Sequence, residues 1–483
     1  MTVSNRVREI EKEIDASIRQ LSTWRAPKAE VLGDIMRTYR DAIEVVFVKG
    51  LYSETFNGSP EDFGAVFGQE NRFRAGSLWA LKWASEYCPT ISATSNRSPE
   101  ELVGLLSLGA TYETFVDALK YAQRNLITIK VDEASRTIVF YEGGPATAFD
   151  SHIVQHQRIT APMTRHVSLT EDGDQLTSRW TAGDYRRVTK WLADHAAHKE
   201  STILVDPAFL AQIGKSKISI PQPTVVWFDR PANVRDCYVF DALTLPTIMD
   251  EGVKWRLVSL LDTTIVQVGD RFCALSSDLK TITAIHDYML RLAARVDPDQ
   301  YSKATTLREG RMISICRDAL EQCVPPWSVA THMLYKDPPQ EVDVRASRDA
   351  RTLILQLKST LRPETPWEVY KRNEALIDGI KHTKRLVDRG VAKQGFVMTD
   401  GYRGDYACWA EALASSIPIA TFYDLELIVA DPIAAVAEVK KRVGITASPP
   451  PASAQGVADR EGELMGWKLR FLDRGAPMED PPG

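Results

Sequence analysis

Two short stretches in the last third of the chain most constrain its fold: Gln340-Glu341-Val342-Asp343-Val344-Arg345 and Leu353-Ile354-Leu355-Gln356-Leu357-Lys358. Each alternates apolar and polar residues, the period of a β-strand, in which successive side chains point to opposite faces. Alternation places Glu341 and Asp343 on one face and Val342 and Val344 on the other. It also places Gln356 and Lys358 opposite Leu353, Leu355 and Leu357. Adjacent strands of this kind bring a carboxylate, an amide oxygen and an ammonium together above an apolar sheet. Such a set suits a divalent cation and a water held beside a phosphate.

The surrounding pattern extends this unit. A helix is expected over Thr306–Gln322, with Met312, Ile313, Ile315, Ala319 and Leu320 on its apolar side and Glu309 near its start. Strands follow over about 328–335, 341–346 and 352–358, then a long helix over about 366–389. Gln394–Thr399 reads as a strand and Tyr406–Ser415 as a helix. A short strand begins at Ile417, and a final helix or turn starts in 424–430.

The rest of the chain is harder to read. Residues 1–126 are helical, with helices over 1–24, 28–50, 70–88, from Pro99, and 112–126. Gly58, Gly64, Gly68 and Gly76 are spaced like loop punctuation and form no phosphate cradle. Residues 127–300 are mixed α/β. A hairpin joins Ile127–Val131 to Thr137–Tyr141, strands are expected at 166–170, 202–205 and 224–229, and helices at 182–198 and 246–262. The pairs His152/His156 and His195/His198 have helical spacing but no further ligand at metal-site spacing, so both read as packed or solvent-facing. Linker-like residues follow at 296–306. The C-terminal domain runs over 304–443. A Pro/Ala/Ser linker and a tail carrying Met465, Trp467, Leu469, Phe471 and Leu472 fill 444–483, and the tail is expected to dock on its own chain.

Composition sets the outer bounds. A chain of 483 residues is long enough for two or three domains. A net charge of −5 excludes a general polycation, so any nucleic-acid surface must be local. Six scattered cysteines without a C-x-x-C pair fit reduced thiols in a cytoplasmic protein. The charged N-terminus has no apolar signal core, and no long apolar run suggests a membrane span.

The C-terminal order of elements, with Glu-Val-Asp-Val followed by Gln-Leu-Lys, resembles the PD-(D/E)xK restriction-endonuclease-like superfamily. The Mrr-like branch is nearest, since glutamine there replaces the second acid. Phe396-Val-Met-Thr-Asp-Gly-Tyr, Ala410-Glu-Ala and Ile417-Pro-Ile-Ala also resemble that branch. The similarity covers about 140 residues and implies a restriction-endonuclease-like α/β domain with a central mixed sheet. It implies Asp343 as a metal ligand, Gln356 as a carbonyl-oxygen ligand, Lys358 as the lysine beside the attacking water, and Glu309 as the first-helix acid. Glu341 stands ready to assist or replace Asp343. The implied cation is Mg²⁺ or Mn²⁺. The proline expected directly before the aspartate is absent; Pro338-Pro339 lies just upstream.

The helix after Lys358 carries Lys371, Arg372, Lys381, Lys384 and Arg385, which read either as a solvated face or as contacts to a DNA backbone. The resulting expectation is a metal-dependent DNA endonuclease in a restriction or anti-phage defence setting. Its N-terminal region would serve as a recognition or protein-partner module, and a homodimer would supply two cuts. The alternative is an inactive nuclease fold acting as a nucleic-acid-binding or assembly subunit. An enzymatic N-terminal region has no nucleophile constellation or cofactor loop to support it.

Overall fold

In the computed structural model, residues 3–473 are described apart from 52–59, 91–97, 123–127, 143–168, 198–201, 205–218, 222, 246–262, 285–286, 337–338, 360, 362–365, 401, 403, 405 and 447–459. The expected helix at 246–262, the strand residues 166–168, and the Pro/Ala/Ser linker lie outside the described residues; so do His152, His156 and His198. The chain is mixed α/β with a helical N-terminal region, and it divides into two compact units. One comprises Met1–Asp150, Gln175–Val296 and Ala458–Gly483; the other comprises Ser151–Asp174 and Asp297–Val457.

The first unit begins with α1 (Val3–Arg19), α2 (Lys28–Leu51), α3 (Pro60–Tyr87) and α4 (Pro99–Ala122). The apolar stripe of α1, Val7, Ile10, Ile14 and Ile18, is buried, so this helix lies on its own unit and is not a free coiled-coil arm. α3 starts ten residues earlier than the sequence pattern predicts, with Pro60 at its N-terminus. Gly64 and Gly68 are therefore inside the helix and not in loops, and so is Gly76. A Cβ there would lie 2.0 Å from the Leu106 carbonyl oxygen, and one on Gly109 would lie 2.5 Å from that of Gly76. These glycines let α3 and α4 cross backbone to backbone. The expected break within 99–126 is absent, and α4 is one helix. By length and composition its Glu100–Lys120 stretch could cross a membrane, but more than half of it is buried, as in a core helix.

The hairpin forms as expected, with β1 (Thr128–Asp132) antiparallel to β2 (Thr137–Glu142). An isolated hairpin is marginal in water. Here it is extended by the tail, whose strands β13 (Arg460–Leu464) and β14 (Trp467–Asp473) complete the sheet. β14 runs parallel to β2, and Phe471 stacks on Phe140 with centroids 4.9 Å apart. The sequence set residues 1–126, 127–300 and 444–483 apart, whereas most of their described residues fall in one unit; 169–174, 297–300 and 444–446 fall in the other. Between the hairpin and the tail lie α5 (Ala182–Ala197), β3 (Thr202–Leu204), β4 (Ser219–Pro221), β5 (Val225–Phe228), α6 (Val234–Leu243), β6 (Val266–Val268), β7 (Arg271–Leu275), α7 (Ser276–Ala284) and α8 (Asp287–Val296). Strands β5, β7 and β6 form a small antiparallel sheet.

The second unit opens with α9 (Pro298–Gln322). The sequence reads its first turn as a linker. Asp297-Pro298 is instead a helix start, with the Asp297 side chain accepting from the Gln300 N–H at 3.1 Å and proline at the first helical position. Then come β8 (Ser328–Lys336), β9 (Pro339–Arg348), β10 (Arg351–Lys358), α10 (Pro366–Asp388), β11 (Gln394–Thr399), α11 (Tyr406–Ser415), β12 (Ile419–Thr421), α12 (Leu425–Ala430) and α13 (Pro432–Thr446). The sheet order is β12-β11-β10-β9-β8, parallel across β10, β11 and β12 and antiparallel across β8, β9 and β10.

This mixed sheet is covered on both faces. Leu353, Leu355, Leu357, Phe396 and Met398 pack with Met312, Cys316 and Leu320 of α9 and with Ile428 of α12. On the opposite face Val397 and Ile419 pack with Leu376 and Ile380 of α10 and Trp409 of α11. Burial on both sides explains why β10 and β11 are nearly continuous apolar runs. The polar Gln356, Lys358 and Thr399 interrupt those runs, and they mark the site.

Candidate functional site

β10 is a regular strand, so Gln356 and Lys358 share the face turned toward α10, as expected. In the parallel register, Lys358 stands beside Thr399 and Gln356 beside Val397, so Thr399 lies on that same face. A Cβ placed on Gly379 of α10 would sit 3.3 Å from Lys358 Cε and 3.5 Å from Val397. The bare glycine backbone therefore leaves a slot for the lysine stem.

β9 departs from simple alternation. Val344 packs with Leu353, Leu355 and Leu357, whereas Val342 packs with Ile354 and Leu386 on the other face. The two valines do not share a face. The cause lies opposite Asp343. His332 has φ of 51°, in the left-handed region, and the β8–β9 ladder pairs residues on either side of it but not His332 with Asp343. The pleat changes hand there, and Asp343 sits at the change. Local irregularities of this kind re-aim a side chain within a sheet.

Asp343 and Gln356 are brought together. Asp343 Oδ2 accepts from Gln356 Nε2 at 2.6 Å and from the Leu357 backbone N–H at 2.6 Å. Gln356 is buried, and its carbonyl oxygen has no hydrogen-bond partner. A buried acceptor without a donor is costly unless something fills the vacancy. Burial pushes the Asp343 carboxyl up to about 6, against the Leu357 N–H and the Lys358 ammonium; the Glu341 and Glu309 charges push it further up.

The other expected residues divide. Glu309 is exposed on α9 and reaches Asp343 only through its charge. Glu341 turns to His332, with Oε1 2.9 Å from Nδ1, and so does not join the Asp343 oxygens. On α10, Lys371 pairs with Glu374 at 2.6 Å and Lys384 pairs with Asp388, both along the helix surface. Arg385 is held by Gln340, whose amide oxygen, turned to face it, accepts from Nε at 3.0 Å and Nη2 at 3.1 Å. Arg372 is half-buried and Lys381 exposed. Lys371, Lys384 and Arg385 each have a partner within the protein.

Three residues escaped the sequence reading. Thr399 is fully buried with an unpartnered hydroxyl, and His382 has a buried, unpartnered Nε2. Burial holds the His382 ring below its usual range, Lys358 and Arg385 push the same way, and the Glu341 backbone carbonyl opposes them. Gly379 is the third. Only the i,i+3 spacing of Gly379 and His382 hints from sequence that both line the Lys358 side of α10.

The donor set fits a hard divalent cation in part. Asp343 and the Gln356 carbonyl are oxygen donors, and the orphaned Gln356 oxygen is where such an ion would satisfy the protein. Among the described residues, no group of three or more His, Cys, Asp or Glu is placed to hold a metal. Water and substrate oxygens would complete the shell, as is common for Mg²⁺. The ends of β10 and β11 are pinned to α9. Arg308 of α9 is ion-paired with Asp400 at 2.6 Å, and Ser359 donates to the same carboxylate at 2.9 Å, tying the residues just after Lys358 and Thr399 to α9. Compared with known proteins, the chain matches no family model, no curated protein and no solved structure.

Proposed function

We propose that the second unit is a restriction-endonuclease-like domain that hydrolyses DNA phosphodiester bonds with Mg²⁺ or Mn²⁺. The first unit then serves as a recognition or partner module, and restriction or anti-phage defence is the setting such a pairing suits. The observation that carries this reading is the convergence of Asp343 and Gln356, with an orphaned amide oxygen, beside Lys358 on one strand end.

In this mechanism Asp343 and the Gln356 carbonyl would hold the cation. The bound cation would supply charge neutralisation of the phosphate and a more acidic water. Lys358 contributes a point charge beside the phosphate, stabilising the negative charge that builds on its oxygens as water attacks. The Leu357 N–H and the Gln356 amide hold Asp343 Oδ2, which would leave Oδ1 for the cation. Gly379 keeps the lysine stem against α10.

One observation favours a second reading, an inactive nuclease fold that binds nucleic acid or assembles with other proteins. Gln356 donates its N–H to Asp343, which partly satisfies the carboxylate without any metal. Supercoiled plasmid separates the two. The active reading expects nicking that requires Mg²⁺ or Mn²⁺ and that falls by about a hundredfold or more in Lys358→Ala and Asp343→Ala. Absence of metal-dependent nicking by the wild-type protein would favour the scaffold reading. Equal nicking by both variants would mean that the chemistry lies elsewhere.

A further inference from the structure

Far along the chain from Lys358, the first unit contains a cavity of about 730 Å³ between α5, the end of β5 and the start of α6. It plays no part in the proposed hydrolytic chemistry. Two rings from α5 line one side. Trp191 and His195 are one helical turn apart and nearly parallel, at 27° with centroids 6.2 Å apart. Phe228, itself buried, stands edge-on to both, at 70° and 86°. Trp191 is 40% exposed, an unusual position for a tryptophan so well supported from behind.

The rest of the lining is rich in guanidinium groups. Arg187 is tied to Asp236 through Nε at 3.1 Å, and Arg230 to Asp241 through Nε at 3.1 Å. Arg271 differs. It is exposed on β7, carries no ion pair among the described residues, and lies 5.7 Å above the Trp227 ring. Arg187 is answered by Asp184 and Asp236 and Arg230 by Asp241, so Arg271 is the lining guanidinium left to meet an anion. An apolar ring platform beside an uncommitted guanidinium matches a ligand with a flat π-system at one end and an anionic group at the other.

We infer that this cavity binds a nucleotide, with the base stacked on Trp191 and His195 and the phosphate on Arg271. Stacking on aromatic side chains accepts any base, and arginine adds both charge and a planar surface. The cavity volume admits a base, a sugar and a phosphate together. The ligand is either a free nucleotide or one unpaired nucleotide of a strand, since both present the same chemistry. The inference does not depend on the hydrolytic site.

The 483-residue chain in EDTA is titrated calorimetrically with AMP, adenosine, ribose 5-phosphate and a hexamer of deoxyadenosine nucleotides. AMP is expected to bind more tightly than adenosine, and ribose 5-phosphate to give little heat. The hexamer binding more tightly than AMP identifies a strand as the source; equal or weaker binding identifies the free nucleotide. Trp191→Ala should weaken AMP about tenfold, and Arg271→Gln should weaken AMP while leaving adenosine unchanged. Both residues are exposed, and unaltered circular dichroism checks the fold. Asp343→Ala should bind AMP as wild type does. Failure of AMP and the hexamer to bind, or wild-type affinity in both Trp191→Ala and Arg271→Gln, would overturn the inference without touching the nuclease reading.

Discussion

Asp278 in the first unit and Asp343 in the second are both buried, and burial pushes each carboxyl up to about 6. Their partners differ. Asp278 accepts from the Tyr39 hydroxyl at 3.2 Å and from Arg74 Nη2 at 3.3 Å, and Arg74 is also paired with Glu70. A cation already in the protein answers that charge. Asp343 accepts only neutral amide N–H groups, and the carbonyl beside it has no donor. The first arrangement is closed and structural. The second has no ion pair, and the Lys358 ammonium acts on it only through its charge, which leaves it open toward a further cation. Burial of an acid therefore says little about function until its counter-charge is found.

The largest effect should come from breaking the closed arrangement. Arg74→Ala leaves Asp278 and Glu70 buried without their cation, and should cost about 3–5 kcal/mol in urea unfolding. Adding a cation tests the open one. Mg²⁺ or Mn²⁺ at about a hundred times its dissociation constant should stabilise the protein by about 2.7 kcal/mol at pH 7.5. That stabilisation should vanish in Asp343→Ala and persist in Arg74→Ala, measured as thermal shifts.

The pH dependence follows from the raised carboxyl. Folded Asp343 keeps its proton up to about 6, whereas an unfolded aspartate loses it near 4. The metal-free fold carries the full cost of the charged form above about pH 6, and that cost fades as pH falls toward 4. Protons compete with the metal over the same window, so metal stabilisation should be lost as pH drops through about 6. A smaller effect is expected of Asp343→Asn. It removes the buried charge and with it that cost, so metal-free stability at pH 7.5 should rise, by up to about 2–3 kcal/mol, opposite in sign to Arg74→Ala.

The smallest change is Gly379→Ala. Alanine favours a helix over glycine by about 1 kcal/mol, but its methyl would crowd Lys358 Cε at 3.3 Å. Thermal stability should hold or rise slightly while nicking falls several-fold. A loss of both would mean that the glycine is needed for packing and not for placing the lysine.

Periodicity revealed the scaffold well. The strand Gln394–Thr399 and the helix Tyr406–Ser415 match the structure because each is a nearly continuous apolar run whose ends are marked by polar or turn residues. The start of α9 was missed because Asp-Pro-Asp reads equally as a linker and as a helix cap. The sequence indicated Gln356 and Lys358 because a regular strand keeps its alternation. It could not show the change of face at Asp343, which depends on the left-handed His332 in a neighbouring strand. Nor could it show that Arg385 is bound to Gln340 or that Glu341 turns to His332, since those pairings exist only once β8, β9 and α10 are packed.

Calorimetric titration of Mn²⁺ into the 483-residue chain at pH 7.5 tests the contrast most directly. One binding site per chain is predicted, lost in Asp343→Ala, weakened in Gln356→Leu and retained in Arg74→Ala. Binding that survives in Asp343→Ala, or none in the wild type, would contradict the assignment of Asp343 and Gln356 as an open cation site.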